Sequence, residues 1–263
     1  MLDTTQSAIR VSETLNKEDL SDLIAHRIQV LRVPNFIPQG ACREVSAGLK
    51  GTGYHDYRNA PQVGRIGMSY FETAKDPEIV DHYFSTAIEN INLLRTACAP
   101  HPCPMDIFRC TVDEIWDAGC MVQTLYGKKM FVGLSRCMKP GVPLKAHHDM
   151  FGRHAPDTPE AESLVSQFGV NVYVDVPETG GELAMWDNEI SDDEFLEQRA
   201  DDYAIPLEKL GAHDVAVKPE NGDLILFNAR KLHAVLPGEG TDRLTISAFL
   251  GFRGDDEPVT VWS

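Results

Sequence analysis

The sequence predicts a mainly β fold with α-helices. Residues 1–120 are rich in helical patterns, whereas residues 121–263 consist of short β-rich runs separated by Gly, Pro, Asn and Asp. These runs number about eight at short spacing, which is typical of an antiparallel jelly roll. We therefore expect a cupin-like, double-stranded β-helix (jelly-roll) core flanked by N-terminal helices, in a single domain over residues 1–263.

Helical periodicity marks the first part of the chain. Asn16 can cap a helix whose apolar residues recur every 3.6 positions, namely Leu20, Leu23, Ile24, Ile28 and Leu31. Asp76 and Pro77 can open a second helix, because proline is favoured in a first turn. A third helical pattern surrounds Ile107, Val112 and Trp116. We expect a short strand within 30–37 and irregular structure over 51–70.

The second part of the chain alternates β-rich runs with turn residues. The runs that we expect to form strands are 130–138, 143–150, 168–176, 181–186, 213–218, 223–228, 233–236 and 243–252. One segment, 187–202, interrupts them with eight acidic residues and one arginine. We interpret it as a solvated insert with helical character. A surface decoration is favoured, and a lid over a substrate site is the alternative.

Charge and cysteine content restrict the function classes. A formal net charge of −16 repels phosphate backbones and anionic lipids, so we expect neither nucleic acid nor a membrane as partner. The six cysteines contain no CxxC pair, and no apolar leader precedes them. Reduced thiols and a cytoplasmic location are therefore expected. A small molecule is the expected partner, and a homodimer is one oligomeric state that the sequence leaves open.

The segment KAHHDMF, residues 145–151, holds the first candidate metal ligands. Side chains alternate between the two faces of a strand, so His147 and Asp149 project together while His148 faces the other way. One imidazole and one carboxylate supply two ligands for a divalent metal. With nine histidines and forty acidic residues, a His-x-Asp pair also arises by chance. A third ligand must therefore come from elsewhere.

The segment 221–252 supplies that ligand and a cation. His233 lies between apolar neighbours, ten residues before Arg243. Two histidines and one carboxylate leave three positions open on Fe(II), enough for a chelating 2-oxo acid and O2. The distal carboxylate of 2-oxoglutarate then needs a guanidinium, which Arg243 offers, and Thr245 shares its face. We predict His147, Asp149 and His233 as catalytic iron ligands, and Arg243 and Thr245 as 2-oxoglutarate-binding residues.

Several motifs together carry a family resemblance. In order they are His-x-Asp, GGEL (180–183) after FGVNVYVDVP, GDLILFNARKLHAV and RLTISAFLGF. Over about residues 130–252 the chain resembles the Fe(II)/2-oxoglutarate-dependent dioxygenases. It is most similar to bacterial small-molecule hydroxylases of free or N-acylated amino acids, which are related to carrier-independent aliphatic halogenases. The resemblance implies hydroxylation of an aliphatic carbon, with release of succinate and CO2.

One residue separates this chain from the halogenating relatives. In those enzymes Gly or Ala replaces the carboxylate ligand, and chloride occupies the vacated iron position. Asp149 therefore implies hydroxylation or desaturation instead of chlorination. Three alternatives stay open: a peptidyl or protein hydroxylase of the prolyl-hydroxylase-like type, a non-catalytic metal-binding jelly roll, and a zinc hydrolase. Other side chains that could line a pocket are Arg65, Tyr70, Arg136, His154, Trp186 and Asn228.

Overall fold

The computed structural model describes residues 8–57, 60, 62–187 and 189–263. Its α-helices are α1 (Lys17–Ile24), α2 (Gln39–Thr52), α3 (Pro77–Cys98), α4 (Pro104–Ile115), α5 (Phe151–His154), α6 (Pro159–Glu162) and α7 (Asp192–Arg199). Short 3-10 helices span Tyr70–Thr73 and Leu207–Lys209. Across these ranges, no helix combines the length and apolar character needed to cross a membrane.

Most of the strands lie in the second half of the chain. They are β1 (Ile9–Val11), β2 (Val30–Val33), β3 (His55–Asp56), β4 (Val63–Ile66), β5 (Cys120–Val122), β6 (Thr124–Leu125), β7 (Lys128–Lys129), β8 (Leu134–Met138), β9 (Leu144–His147), β10 (Ser166–Asp175), β11 (Thr179–Gly180), β12 (Leu183–Met185), β13 (Val215–Val217), β14 (Leu224–Asn228), β15 (His233–Val235), β16 (Gly238–Glu239), β17 (Arg243–Phe252) and β18 (Val259–Trp262). Each of the eight runs predicted from the sequence overlaps one of these strands, so the presence of all eight strands is confirmed.

Two sheets carry the eight predicted strands. The larger sheet runs β1-β2-β14-β10-β17-β8-β4-β3, with β18 paired to β17 and β5 paired to β18, and the smaller runs β13-β12-β15-β9. The predicted strands divide four and four between them, and neighbours among these eight pair antiparallel. This division is what a jelly roll requires. The functional cavity described below lies between the two sheets.

Helices cover the outer face of the larger sheet. Leu49 of α2, Leu94 of α3 and Phe108 of α4 share one hydrophobic cluster with Val170 of β10 and Ile246 of β17. Both faces of these central strands are therefore covered. Because a strand covered on both faces needs no polar face, β10 and β17 are buried along almost their whole length.

The first half differs from the sequence predictions in its details. The caps at Asn16 and Asp76 are confirmed, since both side chains accept backbone N–H groups of the following helices. However, α1 ends at Ile24 because the chain turns at His26 with a φ of +56°. The predicted helix to Leu31 is therefore too long, and this residue belongs to β2. The region predicted to be irregular contains β3 and β4.

Helix α2 was not predicted, because its sequence contains three glycines. One of them explains the departure from helix propensity. A Cβ atom at Gly48 would lie 1.9 Å from the carbonyl oxygen of Ala97 in α3, so glycine allows the two helices to pack closely. Strands β5 and β18, which extend the larger sheet, were also not predicted.

Candidate active site

The three predicted metal ligands converge at one edge of the smaller sheet. His147 ends β9 and His233 begins β15, and the antiparallel register pairs them directly, with ring centroids 4.3 Å apart. Asp149 follows two residues after β9, where its backbone N–H donates to the carbonyl oxygen of Ala229 at 2.8 Å. One ligand atom from each residue lies within 4.8 Å of the others. The structure therefore brings together the residues that the sequence singled out.

Both imidazoles are oriented by the backbone. Nδ1 of His147 lies 2.8 Å from the carbonyl oxygen of Lys145, and Nδ1 of His233 lies 3.0 Å from that of Lys231. A carbonyl oxygen only accepts, so each Nδ1 carries the proton and each Nε2 keeps its lone pair. The Nε2 atoms lie 3.9 and 3.3 Å from Oδ2 of Asp149. Such a set of acceptors fits a divalent cation, and the backbone partners resemble the outer-shell contacts of metal sites.

Burial and the neighbouring side chains set the protonation states of His147 and Asp149. Burial lowers the pKa of His147 to about 4, with a further contribution from His233. For Asp149 burial acts in the opposite direction, yet the imidazoles of His147 and His233 hold the pKa of this carboxyl well below its usual range. A neutral His147 and an ionised Asp149 are the forms that bind metal.

A narrow cavity extends from these residues between the two sheets. Arg243 lies in its wall and is only 6% exposed. Its Nη2 donates to the hydroxyl of Tyr173 at 3.2 Å, its Nη1 lies 3.7 Å from Sδ of Met138, and its Nε has no partner among the residues that the structure describes. Within the described ranges, no carboxylate pairs with it. Burial lowers the pKa of Arg243, which reflects the cost of a buried cation without an anion.

The surroundings of Arg243 fit a carboxylate ligand. Thr245, which is 1% exposed, lines the same cavity two residues further along β17. The walls between Arg243 and the histidines include the apolar side chains of Leu183, Phe227 and Val235. A bidentate acceptor would satisfy the Nε that the protein leaves without a partner. The donor set and this orphaned atom therefore both fit iron with a dicarboxylic acid.

A second, outer pocket of about 520 Å³ opens on the other side of the metal-ligand group. Four residues line both spaces, namely Arg136, Leu144, His147 and Asp149. The candidate metal position therefore lies at the junction of the inner cavity and the outer pocket. A substrate in the outer pocket can reach this junction while a cosubstrate occupies the inner cavity.

The acidic insert contributes one wall of the outer pocket. Phe195 of α7 is 3% exposed and packs against the ring of His148, with a centroid distance of 4.6 Å. Asp192 pairs with Arg153, and Asp202 pairs with Lys145 of β9. Most of the insert is exposed, as a solvated segment should be. Its place beside the pocket was not anticipated by the surface-decoration interpretation and agrees with the lid alternative.

The remaining candidate side chains fall into two groups, those that line the outer pocket and those that do not. Arg136 and His154 line the outer pocket. The others do not: Arg65 pairs with Glu72, Tyr70 packs on Tyr83, Trp186 belongs to a small apolar cluster and Asn228 lies beside His26. Tyr57, Phe195 and Tyr203 also line the pocket. These residues could not be predicted, because they are ordinary aromatic residues that lie far from the metal motifs in the sequence.

Comparison with known proteins gives a consistent result. The family model described as carrier-protein-independent halogenase WelO5 matches residues 126–263. The chain is 26% identical over 255 residues to L-γ-glutamyl-L-propargylglycine hydroxylase of Streptantibioticus cattleyicolor, covering 94% of this chain and 92% of the relative.

Two solved structures show the same fold. One is an N-substituted L-amino acid dioxygenase from Burkholderia ambifaria in complex with α-ketoglutarate, with a TM-score of 0.65, 20% identity and coverage of 94% and 90% of the two chains. The other is HygX from Streptomyces hygroscopicus with nickel and 2-oxoglutarate bound, with a TM-score of 0.51, 14% identity and coverage of 90% and 87%. These likenesses confirm the predicted β fold with flanking helices.

Proposed function

Because the chain belongs to the family of the carrier-protein-independent halogenase WelO5, we propose that it is an Fe(II)/2-oxoglutarate-dependent oxygenase. It hydroxylates an aliphatic carbon of a small amino acid or amino acid derivative and releases succinate and CO2. The observation that carries this proposal is the convergence of His147, Asp149 and His233 at the mouth of a cavity whose wall holds a buried guanidinium without an anion.

Each residue has a distinct task in this proposal. His147, Asp149 and His233 would hold Fe(II) on one face, which leaves open positions for ligands. Arg243 would pair with the distal carboxylate of 2-oxoglutarate, and the Thr245 hydroxyl would donate to the same group. Iron with 2-oxoglutarate and O2 supplies the oxidation of the C–H bond. The apolar walls near Phe227 and Val235 exclude water from this chemistry.

Asp149 decides between hydroxylation and halogenation. The family is named after a halogenase, but this chain places a carboxylate between the two imidazoles, with Oδ2 3.3 Å from Nε2 of His233. This carboxylate takes the position that a halide would need. The relative that matches over most of the chain is itself named as a hydroxylase, which supports the same choice.

The substrate class follows from the relatives and the pocket. One relative acts on a γ-glutamyl derivative of an amino acid, and one structural neighbour is named for N-substituted L-amino acids. The outer pocket, bounded by Tyr57, Phe195 and Tyr203, offers separate space for such a molecule beside the iron ligands. An N-substituted or γ-glutamyl L-amino acid is therefore the proposed substrate.

Domain organisation, location and partners complete the proposal. Residues 1–263 would act as one oxygenase domain, in which 1–120 and 121–263 share a continuous hydrophobic core. The six free cysteines fit a reducing compartment such as the cytoplasm. The net charge of −16 argues against nucleic acid as partner. Light scattering would distinguish a monomer from a homodimer.

A succinate assay tests the proposed function. The protein with Fe(II), 2-oxoglutarate and O2 is offered free L-amino acids, N-acyl and γ-glutamyl L-amino acids, and proline-containing peptides. We expect succinate in proportion to a product that gained one oxygen atom, with an N-substituted or γ-glutamyl amino acid and not with the His233→Ala variant. Turnover of peptides alone would favour the peptidyl hydroxylase. No succinate with any compound would refute the oxygenase.

A further inference from the structure

We propose that Arg136 binds a carboxylate of the substrate, so that the enzyme selects molecules with an acid group close to the C–H bond that it oxidises. This inference rests on the proposed function and deepens it.

Arg136 lies where the inner cavity and the outer pocket meet. It lies on β8, and the strand register places it opposite Thr245 of β17 and Arg65 of β4. Its side chain lines the inner cavity and the outer pocket, as do His147 and Asp149. A ligand group held by Arg136 would therefore lie next to the iron ligands, at the point where the two spaces meet.

The hydrogen bonds of Arg136 use only some of its N–H donors. A guanidinium has five N–H donors. Nε donates to the hydroxyl of Tyr57 at 2.9 Å and Nη1 donates to Oγ of Ser247 at 3.2 Å. Both acceptors are neutral hydroxyls, and no carboxylate of the described residues forms an ion pair with Arg136. The two hydroxyls fix the plane of the guanidinium, which leaves further donors for an anion.

Arg65, on the strand next to Arg136, has a guanidinium that is paired with a carboxylate. Nε of Arg65 lies 2.8 Å from the carboxylate of Glu72, and its guanidinium lies 5.9 Å from the ring centroid of Tyr57. Arg65 and Arg136 thus flank the same tyrosine on adjacent strands, but only Arg65 has a carboxylate. Among the described residues, no carboxylate lies within ion-pair distance of Arg136, and Asp149 and Glu72 raise the pKa of Arg136 only through longer-range electrostatic interactions.

The substrate is the favoured source of the missing anion. The distal carboxylate of 2-oxoglutarate already has a partner in Arg243, whereas Arg136 also reaches the outer pocket. Its partner Tyr57 lines that pocket as well. At the rim, Arg153 already pairs with Asp192. An N-substituted amino acid carries a carboxylate of the right chemistry, and the test below separates it from the second carboxylate of 2-oxoglutarate.

The experiment compares an acid with its amide. The N-acyl L-amino acid with the highest kcat/KM and its carboxamide are assayed with wild type, Arg136→Met and Arg136→Lys. Arg109→Met, which removes a peripheral arginine paired with Asp106, is the control. Wild type and Arg109→Met should prefer the acid by about 30-fold or more, because a buried charge-assisted pair is lost with the amide. In Arg136→Met the preference should fall below about threefold, with Arg136→Lys between them.

A second measurement keeps folding and cosubstrate binding separate. Anaerobic titration of Fe(II)-loaded Arg136→Met with 2-oxoglutarate should show an affinity within about threefold of wild type, since Arg243 is intact. If Arg136→Met does not fold, Tyr57→Phe, which removes the acceptor of Nε, should weaken the acid preference instead.

Several outcomes would overturn the inference. In the first, wild type turns over acid and amide equally. In the second, Arg136→Met keeps the preference. In the third, Arg136→Met loses affinity for 2-oxoglutarate but still prefers the acid, which would assign Arg136 to the cosubstrate. None of these refutes the oxygenase itself, which fails only if no compound supports succinate formation.

Discussion

Two groups of arginines in this protein have opposite environments. Towards the two edges of the larger sheet, Arg32 of β2 forms an ion pair with Asp223 at 2.6 Å, and Arg65 of β4 forms one with Glu72 at 2.8 Å. In the cavity wall, Arg136 and Arg243 contact hydroxyls and a thioether but no carboxylate of the described residues. The same residue type is neutralised where it supports the fold and left unpaired where a ligand would bring the anion.

The difference has a thermodynamic consequence. A buried charge without a partner destabilises the folded protein, whereas a paired one is close to neutral. The unpaired arginines in the cavity wall therefore destabilise the ligand-free protein, and binding of a carboxylate restores that stability. Such a site is preorganised, because the guanidinium is held in place before the ligand arrives. Substitution of a paired arginine and of an unpaired arginine should consequently change the free energy of unfolding in opposite directions.

The largest expected effect comes from removing one of the metal ligands. His147→Ala or His233→Ala deletes one of three ligands, so Fe(II) binding and succinate formation should both fall below detection. Metal content after loading and the succinate assay measure this. His82→Ala, an exposed histidine on α3, should match wild type. Normal iron content in both ligand variants would place the metal elsewhere.

Asp149→Gly tests the hydroxylating half of the proposal. Loss of the carboxylate should abolish hydroxylation while the circular dichroism spectrum is retained, because Asp149 follows β9 and lies outside the sheet ladder. Product analysis by mass spectrometry measures the outcome. Hydroxylation at the wild-type rate would show that Asp149 is not an iron ligand.

Unfolding by denaturant compares the two sets of arginines directly. Arg65→Met removes the guanidinium that pairs with the carboxylate of Glu72, whose side chain is 0% exposed, so the free energy of unfolding should fall by about 3 kcal/mol. Arg243→Met removes an unpaired buried charge, so the ligand-free protein should be as stable as wild type or more so. Equal losses in both variants would remove the distinction between the two regions.

The smallest expected effect concerns the acidic insert. Asp192→Asn weakens a partly exposed pair with Arg153, which is worth at most about 1 kcal/mol. If α7 closes the outer pocket, the KM for substrate should rise by up to about fivefold with kcat within about twofold. Asp193→Asn, its exposed neighbour without an ion pair among the described residues, is the matched control and should change neither.

Local patterns allowed much of this architecture to be predicted. Turn residues between β-rich runs located eight strands, and alternation along a strand placed His147 and Asp149 on one side. The same alternation placed Arg243 and Thr245 in one wall, as the structure has them. These inferences succeeded because they depend on period-two geometry, which the neighbouring residues alone determine.

Features that depend on distant partners could not be predicted. Helix α2 contains Gly48 because of its close approach to Ala97, and nothing in its own sequence indicates that contact. The pairing of Tyr57 with Arg136 joins residues 79 positions apart. The insert reads as solvated because only Phe195 of α7 is buried, although that residue is part of a pocket wall.

The most direct test of the central claim is an anaerobic titration of Fe(II)-loaded protein with 2-oxoglutarate, followed by the weak visible charge-transfer absorption of the complex. Wild type should give a saturable band. Arg243→Met should need at least about 30-fold more 2-oxoglutarate for half saturation, because the guanidinium that pairs with the distal carboxylate of 2-oxoglutarate is lost. An unchanged midpoint in Arg243→Met, or no band in wild type, would contradict the account.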